Sequence, residues 1–125
     1  MAADDYCYVT TTGRRTGQPH RIEIWYAVAG ELVYLLSGGG LRSDWVRNVL
    51  SNPAVTVEIG DQTQRGDARV IVENAEAERA RALVYEKYAT RSGDDLTAWR
   101  DSALAIAITV PGFAAKDAGQ SDRHT

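Results

Sequence analysis

Residues 10–21, Thr10-Thr11-Thr12-Gly13-Arg14-Arg15-Thr16-Gly17-Gln18-Pro19-His20-Arg21, hold three arginines, a histidine and four threonines without a single acid. A glycine-flanked turn of this kind can aim backbone N–H groups at an anion, while Arg14 and Arg15 supply charge and forked donors suited to phosphate or carboxylate. The same run also suits a hairpin whose arginines simply keep a turn in water. A second group is Ser37-Gly38-Gly39-Gly40-Leu41-Arg42-Ser43-Asp44-Trp45-Val46-Arg47-Asn48. Three consecutive glycines cost backbone entropy, so a positive φ or a close approach of backbone is expected there. A glycine loop feeding a helix N-terminus can take an anion or the polar edge of a ring. The alternative is a flexible hairpin end, with Trp45 plugging the core.

Other familiar chemistry is missing. The chain has no nucleophile elbow, no His-Glu-x-x-His and no Walker-type loop. Its two histidines are His20 and His124, and Asp94-Asp95 are adjacent, which suits a helix cap rather than a facing acid–base pair. The single cysteine, Cys7, makes neither an internal disulfide nor a thiolate metal cluster, and no metal-spaced set is present. A reaction run on this chain is therefore expected to be carried by a bound cofactor.

The elements that must position these groups follow from periodicity. Tyr6–Thr12 is β-branched and aromatic and is expected to be a strand. After the Gly13–Pro19 turn, His20–Ala29 alternates, with Ile22, Ile24, Tyr26 and Val28 on one face and Arg21, Glu23, Trp25 and Ala27 on the other. Trp25 thus either seals the outside of a sheet or stacks on a planar ligand. Gly30-Glu31 predicts a tight hairpin into Leu32–Leu36. Ser43 or Asp44 is placed to cap a short helix, Asp44–Leu50, that Asn52-Pro53 ends. Val55–Ile59 and Gln62–Val72 are expected to pair across Gly60-Asp61. Asn74 caps a longer helix to about Thr90, with Ala77, Ala80, Val84 and Tyr88 as its buried stripe, and Asp94–Arg100 is a second helical piece. Ala103–Val110 is apolar on both faces, as a central strand should be. About six antiparallel strands in so short a chain are most economically closed on themselves, because closure removes sheet edges. The expected fold is α+β: a small antiparallel barrel with a short helix after the third strand and a helical pair before the last.

Length and composition agree. The chain has 125 residues, 44% apolar and 25% charged, which fits one ordinary domain, expected over 1–112 with a polar tail over 113–125. No apolar run approaches the ~18 residues of a membrane span. The acidic start, Met1-Ala2-Ala3-Asp4-Asp5, lacks the pattern of a secretory signal, so a cytoplasmic protein without a membrane anchor is expected. The net charge of −3 and the lack of an extended basic face argue against nucleic acid as a partner. Of the 14 basic residues, 12 are arginine, which suits planar bidentate recognition but also suits a GC-rich coding bias.

The order of these motifs resembles the deazaflavin-dependent nitroreductase family, over TTTGRRTGQPHRIEIWY, LLSGGG and SDWVRNVLSNPAVTVEIG. The match runs from Val9 to Val72 and more loosely to the last strand. The resemblance implies a split β-barrel oxidoreductase using coenzyme F420, a 5-deazaflavin, with FMN in the same barrel as the alternative. It implies that Arg14, Arg15 and Thr16 hold the cofactor phosphate and that His20, Arg21, Ile22, Ile24 and Trp25 run beside the ring. It also places Ser37 and Gly38 near the ring, Ser37 as the candidate catalytic residue, and a helix with Trp45, Arg47 and Asn48 over the cofactor. The partner it implies is a small electron-poor molecule (a quinone, an enone or a nitro compound), acted on by a monomer or homodimer. The chain departs from the family at Gly38, where many relatives have lysine, and in Arg91–Ser102, which holds Trp99 but no tyrosine. A non-catalytic cofactor or lipid carrier on the same barrel is the reading from another class.

Overall fold

The chain alternates short strands with tight turns until residue 72, and the computed structural model, which describes residues 6–72, 74–92 and 97–113, follows that division. In chain order the elements are β1 (Cys7–Thr12), β2 (Pro19–Ile24), β3 (Ala27–Ala29), β4 (Leu32–Ser37), a 3₁₀ turn (Gly40–Arg42) and α1 (Asp44–Ser51). They continue with β5 (Ala54–Ile59), β6 (Gln62–Val70), α2 (Ala75–Ser92), α3 (Thr97–Ser102) and β7 (Leu104–Thr109). The strands form one sheet in the order β2-β1-β5-β6-β7-β4-β3, every neighbouring pair antiparallel. Gly30 and Gly60 take the first positions of two-residue hairpin loops at φ 62° and 59°, a conformation glycine adopts without a Cβ penalty.

The sheet has seven strands where the alternation predicts six. The run from His20 to Ala29 is not one strand: it leaves the ladder at Trp25-Tyr26, so that β2 and β3 lie at opposite edges of the sheet. Two consecutive strands can occupy opposite edges only if the sheet curls until its edges approach, and the Trp25-Tyr26 joint crosses that split. Alternation could not reveal the break, because Ile22, Ile24, Tyr26 and Val28 still all pack toward the same interior. The backbone groups that the ladder loses at the joint are satisfied from α2. The Tyr26 N–H donates to the Tyr88 hydroxyl at 3.1 Å, and that hydroxyl donates back to the Tyr26 carbonyl at 3.3 Å.

Two apolar layers result. The barrel interior gathers Val9, Tyr26, Val33, Leu35, Val57, Ile106 and Ile108, with Val46 and Val49 of α1 against one end. Outside, α2 lays Ala77, Ala80, Val84 and Tyr88, the stripe expected from sequence, onto Tyr34, Leu36, Ala105 and Ala107. Strand β7 explains the mixture of sizes in its sequence: Ile106 and Ile108 fill the barrel, while Ala105 and Ala107 are small enough for a helix to lie close. Asn74 does cap α2, its Oδ1 accepting the Ala77 N–H at 3.1 Å. The second helical piece is helical over its described part, Thr97–Ser102; its expected start at Asp94 lies outside the described residues, and Trp99 packs on the outer layer. The apolar core also extends further than the sequence suggests, since Phe113 is 1% exposed within the barrel cluster.

Cys7 is fully buried on β1, and burial pushes its thiol from 9.0 up to about 12. The folded state therefore holds this proton more tightly than the unfolded chain. Its contribution to stability is whole below pH 9 and is lost as pH rises from there toward 12. At pH 8 the native protein is expected to resist iodoacetamide and to label once unfolded in urea; rapid labelling of the native protein would contradict this burial.

Candidate functional site

The arginine turn is closed at its neck by two backbone bonds, Gly13 N–H to the Gln18 carbonyl at 2.8 Å and Gly17 N–H to the Gly13 carbonyl at 2.9 Å. Gly17 sits at φ 74°, and the Thr16 hydroxyl accepts the Gln18 N–H at 3.2 Å. Gly13 is needed for a different reason. A Cβ there would lie 2.8 Å from His20 Nε2, so the bare backbone makes room for the imidazole. Arg15, Thr16 and His20 are exposed around the resulting hollow of about 210 Å³, whose lining is completed by Gly13, Arg14, Asp44 and Asn48.

Helix α1 holds the other wall. Asn48 is 2% exposed and is fixed by donating Nδ2 to the Thr11 hydroxyl at 3.1 Å. Its Oδ1 accepts both the Arg14 backbone N–H at 3.2 Å and Arg14 Nη1 at 2.9 Å. The other fork of Arg14 meets Asp44, with Nη2 at 3.3 Å from Oδ1. The loop that contains no acid in sequence thus meets one in space, brought by a helix 30 positions later. Nothing in the local pattern signals this; Asp44 looks like a helix cap.

The glycine loop is organised by Ser37. The residue is 3% exposed, and its hydroxyl donates to the Gly40 carbonyl at 3.3 Å and lies 2.9 Å from the Ser43 hydroxyl. Ser43 precedes α1 but makes no side-chain cap. Of the three glycines only Gly40 takes a positive φ, 58°. A side chain at Gly39 would run into Ser43, so the close approach expected of this segment is made by the protein itself. Gly38 is exposed beside the Trp99 indole. Arg47 is exposed and donates Nε to the Leu41 carbonyl at 3.0 Å, tying α1 to the same loop.

At the other end of β2 lies an aromatic cleft of about 530 Å³, lined by Tyr6, Glu23, Ile24, Trp25, Leu36 and Trp99. Trp25 is half-buried here, stacked on Tyr88 at 4.3 Å between centroids and 3° between planes, with Trp99 edge-on at 5.6 Å. One face of Trp25 is therefore covered by protein, and Tyr88 is a core residue. Trp45 stays partly exposed, and it, Ile22 and Ile24 all pack against the barrel interior. Between His20 and Trp25 the strand covers about 16 Å at ~3.3 Å per residue.

Arg21 is not brought to this site. It lines neither the hollow nor the cleft: it forks onto Glu58 across β1 at 3.0 and 3.2 Å and lies 3.8 Å over the Tyr8 ring. The pairing lowers the Glu58 carboxyl below its usual range and raises Arg21. Tyr8 in turn donates to Glu23 at 2.7 Å, a bond to a carboxylate that raises the phenol. A groove of about 520 Å³ runs over Thr10, Thr12, Thr56 and Arg65, but it has no aromatic wall. Among the described residues no cluster of three or more His, Cys, Asp or Glu could hold a metal, and no helix is long and apolar enough to cross a membrane.

With this geometry in place, comparison with known proteins is informative. The profile of the F420H(2)-dependent quinone reductases matches residues 2–111. Among solved structures, a conserved hypothetical protein from Mycobacterium tuberculosis is similar at TM-score 0.69 and 23% identity, over 87% of this chain and 74% of that one. An F420-H2 dependent reductase, FDR-A, is similar at TM-score 0.68 and 21% identity, over 83% and 93%. A heme storage protein from Vibrio cholerae shares the fold at TM-score 0.64 and 15% identity, over 86% and 82%.

Proposed function

Because the chain belongs to the family of F420H(2)-dependent quinone reductases, we propose that it is a reductase that uses coenzyme F420 to reduce a small electron-poor molecule, a quinone, an enone or a nitro compound. The observation that carries this reading is that one edge strand, β2, joins a basic hollow at His20 to an aromatic cleft at Trp25. A ligand with an anionic tail and a planar ring needs these two environments within one molecule's reach. The residues fit such a group. Gly13 lets the His20 imidazole seat beside the turn, Arg14 and Arg15 supply donors for a phosphate, and Trp25 and Trp99 offer apolar surface to a ring.

When bound, the deazaflavin would supply the hydride, and the chain would supply binding and orientation. Arg14, prealigned by Asn48, and the exposed Arg15 would hold the phosphate. Trp25 cannot turn without breaking its stack on Tyr88, so the cleft wall is fixed before any ligand arrives. Ser37 is a positioning residue in this scheme: its buried hydroxyl sets the glycine loop and, through Ser43, the start of α1. No acid–base pair is required of the protein, which accords with the absence of one in the sequence.

The test is titration of the protein with coenzyme F420 and, separately, with FMN, following tryptophan emission, and then oxidation of F420H2 with a quinone. Quenching by F420 with quinone-dependent turnover is expected. Quenching by FMN alone would move the assignment to a flavin enzyme, and binding without turnover on any acceptor would make it a carrier. Quenching by neither would remove the cofactor reading altogether.

A further inference from the structure

We propose that Asp44 is a placeholder for the anion: its carboxylate occupies one edge of the Arg14 guanidinium and must leave when a phosphate enters, so Asp44 sets how tightly the loop binds. This rests on the reading of the Arg14 hollow as the cofactor phosphate site.

The two edges of Arg14 are held very differently. On one side stands Asn48, buried, neutral and itself bonded to Thr11, so that its Oδ1 has nowhere to go. On the other stands Asp44, whose side chain is 82% exposed while that of Arg14 is 22% exposed. Among the described residues the Asp44 carboxylate bonds only Arg14, through one contact of 3.3 Å. An exposed carboxylate held by a single ion pair can swing into water at little cost. The guanidinium edge it uncovers faces the hollow that Arg15, Thr16 and His20 also line. A carboxylate and a phosphate oxygen ask the same of that edge, a charged acceptor in the plane of the fork, so the two exclude each other.

Charge bookkeeping gives the sign. Arg14, Arg15 and Asp44 together carry +1, and neutralising Asp44 leaves +2, which attracts an anion more strongly and more salt-sensitively. Asparagine keeps the shape of Asp44 and still offers an oxygen to Nη2. A role in positioning Arg14 would therefore survive Asp44→Asn or weaken with it, whereas a placeholder role makes the variant bind more tightly.

Coenzyme F420 and inorganic phosphate are titrated into the wild-type protein, Asp44→Asn, Asp44→Glu and Arg14→Ala, the first by tryptophan quenching and the second by amide NMR shifts of Gly13–Gln18. Asp44→Asn is expected to bind both about two- to fivefold more tightly, the worth of one exposed ion pair that no longer has to break, with a steeper loss of affinity as salt is raised. Asp44→Glu should behave like the wild type. If Arg14→Ala weakens binding but Asp44→Asn binds equally or less tightly, the placeholder is refuted and the phosphate site stands. If Arg14→Ala changes nothing, or phosphate shifts no amide in any variant, both readings fall.

Discussion

Tyr88→Ala is expected to destabilise the protein by about 3–5 kcal/mol, the range for emptying a large buried aromatic site. Tyr88 is 2% exposed and stacks on Trp25 at 4.3 Å. Beyond packing, its hydroxyl closes the joint where the chain leaves the ladder between β2 and β3, bonding both the N–H and the carbonyl of Tyr26. Truncation therefore leaves a cavity under α2 and two buried backbone groups without that partner. Tyr88→Phe separates the effects: it keeps the ring and should cost about 1–3 kcal/mol for the two hydrogen bonds lost. Urea unfolding of both variants, followed by tryptophan emission, measures the difference. Wild-type stability in Tyr88→Phe would show that the hydroxyl does not secure the joint. Because Trp25 lines the aromatic cleft, the alanine variant should also lose ligand affinity under conditions where it is still folded.

Arg14→Ala combined with Arg15→Ala should weaken F420 binding by about 2–5 kcal/mol, at ~1.5–3 kcal/mol for each charge-assisted hydrogen bond lost. The share of each residue is unequal. Arg14 is prealigned on Asn48, so little conformational entropy remains to be lost when it binds an anion, while Arg15 is exposed and must be ordered. Removing Arg14 also frees Asp44, whose unpaired carboxylate then faces the hollow and repels an anion. The single Arg14→Ala variant should thus account for most of the loss. Arg14→Lys should recover part of it, since lysine restores charge but not the fork. Tryptophan quenching titrations measure all of these. Unchanged affinity in the double variant would end the assignment of this loop to phosphate.

How far the molecule was legible from its residues differs by element. The hairpin glycines, the Asn74 cap, the Ala77-Ala80-Val84-Tyr88 stripe and the doubly apolar last strand are all local patterns, and the structure has them where the pattern puts them. The split at Trp25-Tyr26 was not legible, because the inward-facing residues keep their phase through the break and only the partner strand changes. Arg21 stands in the same motif, yet it is paired with Glu58 from a strand 37 positions on, a partner that no local window contains. Phe113 carries no periodicity as a lone aromatic, and only the structure shows that it packs in the barrel cluster.

The sequence by itself determined the antiparallel strands, the helices that cover them and the two loops worth suspecting. Each of these follows from neighbours a few positions apart, through pleat, helical period and turn chemistry. Tertiary structure alone decided what the loops do to each other. It brought Asp44 and Asn48 to Arg14, Thr11 to Asn48, and Tyr88 to the joint at Tyr26. Those contacts join residues 30 to 62 positions apart. The curl of the sheet, set by the combined packing of the barrel interior and α2, decides which side chains meet, and no window of sequence contains it.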